Sequence, residues 1–228
     1  MRSSVPRTEG ELSEFLLRAC HDLRGPLRAV RTYSELILKE SIRRGADIQE
    51  MLGFIANGSV QVGLLIDGLT DYSLALQTDP LKFQPVPMDV ILRAVLAKIA
   101  NALRESRAEV AYGPLPRIRG NADRLMQLFE YLIDRALRHR GPEDPRIRIS
   151  AESRDDGWLF QVWNNGPQIE AEFAENIFQP FERLDGKERP GPGLAVCRVI
   201  VERHGGKIWA ESPPGGGCLF CFTLPAEE

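Results

Sequence analysis

The stretch Cys20–Ala29 reads CHDLRGPLRA and sets a histidine beside an aspartate, with a proline five residues further on. An imidazole that has one nitrogen held by a carboxylate offers the other as a nucleophile. Asp22, next in the chain, is the group that would hold or deprotonate the ring of His21. Pro26 lacks the amide that would donate to the carbonyl of Asp22, so a helix through this stretch is loosened there. Arg24, Arg28 and Arg31 follow at helical spacing and would suit an acidic partner face. Each feature also has a plain meaning: a single histidine on a helix is usually a solvated side chain, and charges spaced this way usually mark a solvated face.

The elements that must position His21 are helical. From Leu12 to about Leu76 the only proline is Pro26 and no strand pattern interrupts. Leu12, Ala19, Pro26 and Tyr33 recur every seven residues, and Leu16, Leu23, Val30 and Ile37 do so out of phase with them. Leu52, Ser59, Ile66 and Ser73 form a second pair of series with Ile55, Val62, Leu69 and Leu76. Two helices with such seams, joined near IRRGADI, make an antiparallel hairpin in which Gly45 ends the first helix and Asp47 caps the second. On this pattern His21 falls between seam positions Ala19 and Leu23, on the flank of the hairpin. Two helices enclose no core, so the seams call for a second copy and a four-helix bundle, the alternative being that they pack on the rest of the chain.

TDPLKFQPVP (78–87) reads as a linker, after which the pattern changes. Residues 1–10 read as a tail, 11–77 as the hairpin and 88–228 as a second domain. Helical periodicity covers 88–103, 121–139 (with Asp123 near its start) and 193–204, the last ending at Gly205-Gly206. Alternating segments at 146–153, 158–165, 207–212 and 218–225 predict strands, with PPGGG (213–217) as a hairpin turn. The fold class is therefore α+β: a helical hairpin followed by an α/β sandwich with helices on one face of a mixed sheet.

Composition narrows the function. A chain of 228 residues with 43% hydrophobic residues can bury a real core, and a net charge of -3 leaves no electrostatic footprint for nucleic acid or anionic membrane. No apolar run reads as long enough to span a bilayer, and the start lacks the apolar core of a signal peptide. Cys218 and Cys221, three apart in an expected strand, point to opposite faces, so no metal site is expected and the four cysteines read as free thiols in a reducing cytoplasm. His139 and His204 fall at helix ends and read as structural or solvated. Trp158, Trp163 and Trp209 read as core or sheet-face residues.

HDLRGPL resembles the phosphoacceptor box of bacterial sensor histidine kinases, in the variant followed by arginine (here Arg28) found in phytochrome-type kinases. RLMQLFEYLIDRAL (124–137), VWNNGPQI (162–169), IFQPFERL (177–184) and GLAVCRVIVERHGGKIWAES (193–212) are similar to the family's further boxes and follow in its order. The likeness covers residues from about 11 to 226. It implies a dimerisation and phosphotransfer hairpin carrying His21 and a C-terminal α/β sandwich of the histidine-kinase ATPase type.

The same resemblance exposes departures. Two asparagines that help hold magnesium and phosphates in the family are Tyr131 and Arg135 here, and a guanidinium has no lone pair for a cation. Asn164 stands where an aspartate accepts a hydrogen bond from adenine. Gly166 remains, but Gln168 replaces the second glycine of that box. In RPGPGLAV (189–196) Gly191 and Gly193 remain at a helix N-terminus that would bind phosphate, while Pro192 removes a donor and the preceding loop is about three residues short against the family pattern. Leu125, Leu132, Ala136, Phe178, Phe181 and the helix Leu194 to His204 keep the scaffold and read as core.

These departures imply a fold kept and a nucleotide lost. The expected function is a cytoplasmic, dimeric histidine phosphotransferase (a pseudo histidine kinase) passing phosphoryl groups between receiver-domain aspartates and His21, with no cofactor, no metal, no nucleic acid and no membrane partner. The expected partners are a second copy and response-regulator receiver domains, met by Arg24, Arg28 and Arg31. Two alternatives remain. One is an active autokinase using ATP and magnesium in an unorthodox site, with Asp22 as general base. The other is a module that binds receivers or a kinase without chemistry.

Overall fold

The computed structural model describes residues 23–37, 48–170, 173–174, 176–179 and 193–227. These form two compact units, one built on the N-terminal helices to Asp71 and one running from Tyr72 onward.

In the first unit, helix α1 covers 23–37 of the described chain and α2 spans Ile48–Leu76, crossing into the second unit. On α1 the half-buried positions include Leu23, Pro26, Val30, Tyr33 and Ile37, which is the expected seam. The helices run antiparallel. Tyr33 stacks on Phe54 at 4.5 Å with planes 9° apart, and further along α2 Gly58 lies against Pro26 and Val30. A Cβ on Gly58 would stand 2.9 Å from Val30 Cγ2 and 3.1 Å from the Pro26 carbonyl oxygen, so the approach needs a glycine.

On α2 the shielded line is Met51, Ile55, Gly58, Val62, Leu65 and Leu69. Leu52, Ser59, Ile66 and Ser73, expected in the seam, are exposed. The other expected series, Ile55, Val62, Leu69 and Leu76, is shielded as expected, so only one line of the seam is displaced, by one residue, to Met51, Gly58 and Leu65. Leu52, Phe54, Val60 and Ile66 stay open in the single chain, as do Leu27 and Leu36 on α1. These residues also correct the reading that no apolar run could span a bilayer: Met51–Leu76 is long and apolar enough to do so by length and composition.

The second unit is a helical layer over a mixed sheet. A short 3-10 turn at Pro80–Lys82 leads into β1 (Gln84–Pro87), so this part of the segment read as a linker is folded structure. β1 pairs antiparallel with β3 (Arg117–Gly120), and Val86 meets Ile118 in register, both buried. Pro85 and Pro87 are tolerated because a two-stranded ribbon leaves one edge free of partners. The expected helix 88–103 is two, α3 (Met88–Lys98) and α4 (Ala100–Ser106), broken at Ile99 (φ -97, ψ 12). α4 ends on Arg107 in the left-handed region, after which comes β2 (Glu109–Tyr112).

α5 (Ala122–Arg138) buries Leu125, Leu128, Phe129, Leu132, Ile133 and Ala136, a single stripe at three- and four-residue steps. Its cap is Asn121, whose side chain accepts from the Arg124 amide at 3.1 Å. Strands β4 (Arg146–Arg154), β5 (Gly157–Asn164), β6 (Ile208–Glu211) and β7 (Cys218–Leu224) form with β2 a five-stranded sheet ordered β2-β4-β5-β7-β6, in which only β2 and β4 are parallel. α6 (Gly193–Arg203) is apolar nearly all round, as suits a helix packed on α5, β6 and β7 together. The core is aromatic: Phe160 stacks on Phe222 at 4.8 Å, and Phe129 meets Phe222 edge-on at 6.2 Å.

Candidate functional site

His21 and Asp22 lie outside the described residues, as do Phe181, Gly191 and Pro192. The described part of α1 begins two residues beyond His21 and carries the three arginines. Arg24, Arg28 and Arg31 are all exposed, and their spacing puts them on one stripe. Arg31 Nε lies 3.5 Å from Glu35 Oε1, with both side chains more than half exposed, so this ion pair contributes little and leaves a basic surface.

The positions that resemble nucleotide boxes come together in the second unit. Tyr131 and Arg135 are one turn apart on α5, both half-buried. The Tyr131 ring packs on the N-terminus of α6: a Cβ on Gly193 would stand 3.2 Å from its Cδ1. The guanidinium carbon of Arg135 lies 5.9 Å from the centre of the Phe220 ring on the inner face of the sheet. Phe220 is in turn met edge-on by Phe178 at 6.3 Å.

Asn164 ends β5 and is buried. Its amide oxygen accepts from the Gly166 N–H at 3.0 Å, and its amide nitrogen donates to the Cys218 carbonyl at 3.4 Å across the β5–β7 register. Both ends of the side chain are thus used inside the domain. Gly166 is needed for close approach, since a Cβ there would lie 2.4 Å from the carbonyl oxygen of His139. Gln168 does not crowd this region. It is exposed and donates to the Pro213 carbonyl at 3.1 Å, tying the loop to the β6–β7 turn.

The thiols facing this region are inert. Burial pushes the Cys218 thiol up to about 12, with Arg135 pulling the other way; it raises Cys197 further, again against Arg135. Cys221, on the opposite face of β7, is raised to about 11 by burial and by Glu211.

His204 follows the end of α6, and of the two readings of it, structural or solvated, the structural one holds. It is 4% exposed, stacks on Phe83 at 4.4 Å, and its Nε2 accepts from the Asn121 N–H at 3.0 Å. Nδ1 therefore carries the proton and donates to the Ile200 carbonyl at 2.7 Å. Burial lowers its pKa, the Ile200 bond opposing, so the ring is neutral and structural.

Comparison with known proteins agrees with this fold. Residues 120–228 match the family "Histidine kinase-, DNA gyrase B-, and HSP90-like ATPase". The chain is 36% identical to cyanobacterial phytochrome A of Nostoc sp. (strain PCC 7120) over 225 residues, covering 97% of itself and 29% of that protein. It is 29% identical to the signal transduction histidine-protein kinase BaeS of Escherichia coli K12, covering 100% of itself and 50% of BaeS. It thus spans between about three tenths and half of these relatives. The histidine kinase ThkA, solved in complex with the response regulator protein TrrA, shares the fold with a TM-score of 0.73, at 23% identity, over 95% of this chain and 62% of that one. Residues 120–228 thus match an ATPase-type domain, and BaeS and ThkA, to which the chain is similar, are named as histidine kinases.

Proposed function

We propose that the chain is a dimeric histidine phosphotransferase of a two-component phosphorelay, passing phosphoryl groups between receiver-domain aspartates and His21 without ATP. The observation that carries this reading is Arg135, a guanidinium over the Phe220 ring where the family holds an oxygen ligand for magnesium. With the Tyr131 ring against Gly193, and Asn164 spent on Gly166 and Cys218, the residue set does not fit a magnesium-bound nucleotide.

The donor is then an acyl phosphate on a receiver, which brings its own metal. Transfer breaks the P–O bond to the aspartate and forms a P–N bond on His21; the imidazole proton leaves to solvent and the carboxylate is regenerated. Asp22 orients the ring, and the exposed arginine stripe on α1 meets the acidic face of the receiver. The open apolar residues of the hairpin, Leu52 and Ile66 among them, belong to a bundle with a second copy rather than to a membrane span, and the protein works in the cytoplasm.

A second reading, an autokinase with an unorthodox ATP site, is favoured by the relatives, several of which are named as kinases. Labelling from two donors separates them. Wild-type protein is expected to take acid-labile phosphate from a phosphorylated receiver and none from ATP with magnesium. Label from ATP would establish the autokinase, and label from neither donor would leave a binding module.

A further inference from the structure

We propose that the outer face of the five-stranded sheet, the face away from the helices, is a weak docking surface for the same face of a second copy of this chain. This contact is separate from the hairpin and does not depend on how phosphate reaches His21.

The strand register lays the face out row by row. Phe220 and Phe222 point to α5, where they meet Arg135 and Phe129, so their neighbours along β7 point away from the helices. Across β4, β5, β7 and β6 one outer row is Arg148, Trp163, Leu219 and Glu211. Two steps along is a second row of Glu152, Leu159 and Thr223. Lys207 completes it, since its carbonyl accepts from the Thr223 amide at 2.8 Å. The middle of the face is thus largely apolar, with Trp163 and Leu219 half-buried, while Arg148, Glu211, Glu152 and Lys207 at its corners are exposed. Two of these charges are propped by aromatic rings. The guanidinium carbon of Arg148 lies 5.0 Å from the centre of the Trp163 ring, and Glu211 Oε1 accepts from Trp209 Nε1 at 2.6 Å.

The signs of the corners make the face complementary to itself. Positive charges stand on one diagonal, Arg148 and Lys207, and negative charges on the other, Glu152 and Glu211. Arg148 and Glu211 are three strand spacings apart, roughly 14 Å, against a Debye length of about 8 Å, so they do not satisfy each other within one chain. Glu152 has Arg154 at 3.0 Å, but both are more than half exposed and such a pair holds weakly. A second copy turned about a two-fold axis along the strands presents each row in reverse. Arg148 then meets the partner's Glu211 and Glu152 the partner's Lys207, each pair twice, with Trp163 against the partner's Leu219. Sheets stack face to face in this aligned way in sandwich folds. A patch roughly 14 Å across falls well short of the ~800 Å² per partner of a standard interface, so the contact is weak and reversible.

The test is sedimentation of the full chain over a range of concentrations. Wild type is compared with Arg148→Glu, with Glu211→Arg and with the variant carrying both changes, circular dichroism showing that each is folded. The expected result is a concentration-dependent doubling of mass in the wild type. Either single reversal sets like charges face to face and should weaken that step about 10-fold or more, and the double reversal should restore it. The doubling should also persist in Leu52→Ser with Ile66→Ser, which leaves the sheet untouched. A wild type without such a step, single reversals that leave it unchanged, a double variant no better than the singles, or loss of the step in the hairpin variant would overturn the proposal.

Discussion

The hairpin and the C-terminal unit bury their apolar residues in different ways. The second unit closes on itself: Phe129, Phe160, Phe220 and Phe222 are at most 1% exposed, and α6 is covered by α5 and the sheet. The hairpin leaves Leu27, Leu36, Leu52, Phe54, Val60 and Ile66 open, and its α1 seam is only half-buried. A two-layer sandwich can satisfy its own core, whereas two helices cannot. The difference teaches that the C-terminal unit covers its own apolar core, while the hairpin has a surface still to be covered.

Breaking the complete core should have the largest effect. Phe222→Ala removes a ring that contacts both Phe129 and Phe160, and should cost about 3–5 kcal/mol of unfolding free energy, read by denaturant titration. A loss below about 1 kcal/mol would mean that the core is not closed as described.

A smaller effect of the same unit is its pH dependence through His204. Its folded-state pKa is lowered by burial, so below the unfolded value near 6.5 the unfolded chain binds more protons than the native one. Stability should therefore fall as pH drops below about 6.5, and continue to fall until the folded pKa is reached. His204→Gln should flatten that part of the curve in pH-dependent melting. An unchanged slope in the variant would assign it to other groups.

The smallest stability change, with the clearest change in assembly, is expected at the open hairpin surface. Leu52→Ser with Ile66→Ser alters residues about half exposed, and should change the unfolding of a single chain by about 0.5 kcal/mol or less per site. If a second copy covers this surface, light scattering should show the wild type as a dimer and the variant shifted toward monomer. A variant that stays dimeric would place the interface elsewhere.

What the sequence made legible follows from the range of each interaction. The stripe on α5 and the alternation in β4, β5 and β7 are local periodicities, and they predict those elements within a residue or two. The β1–β3 ribbon is invisible locally because QPVP carries two prolines and its partner lies about 30 residues away. β2 shows no alternation, since three of its four residues are exposed at an edge.

At the site, chemistry was legible and direction was not. The sequence shows that Arg135 offers no lone pair to a metal. That its guanidinium meets Phe220 depends on a contact 85 residues distant, which no spacing reveals. Gln168 reads as an obstruction until its amide is seen bonded to the Pro213 carbonyl at the β6–β7 turn. His204 reads as structural or solvated at a helix end, and only Asn121 and Phe83, both remote in sequence, decide for the buried, structural ring.

The central claim is that His21 accepts phosphate from a receiver and not from ATP. The direct measurement is phosphate transfer from a radiolabelled receiver to wild-type chain and to His21→Ala, with ATP and magnesium as a parallel donor. The account predicts acid-labile label on the wild type from the receiver alone and none on the variant. Label on wild type from ATP, or equal label on His21→Ala, would contradict it.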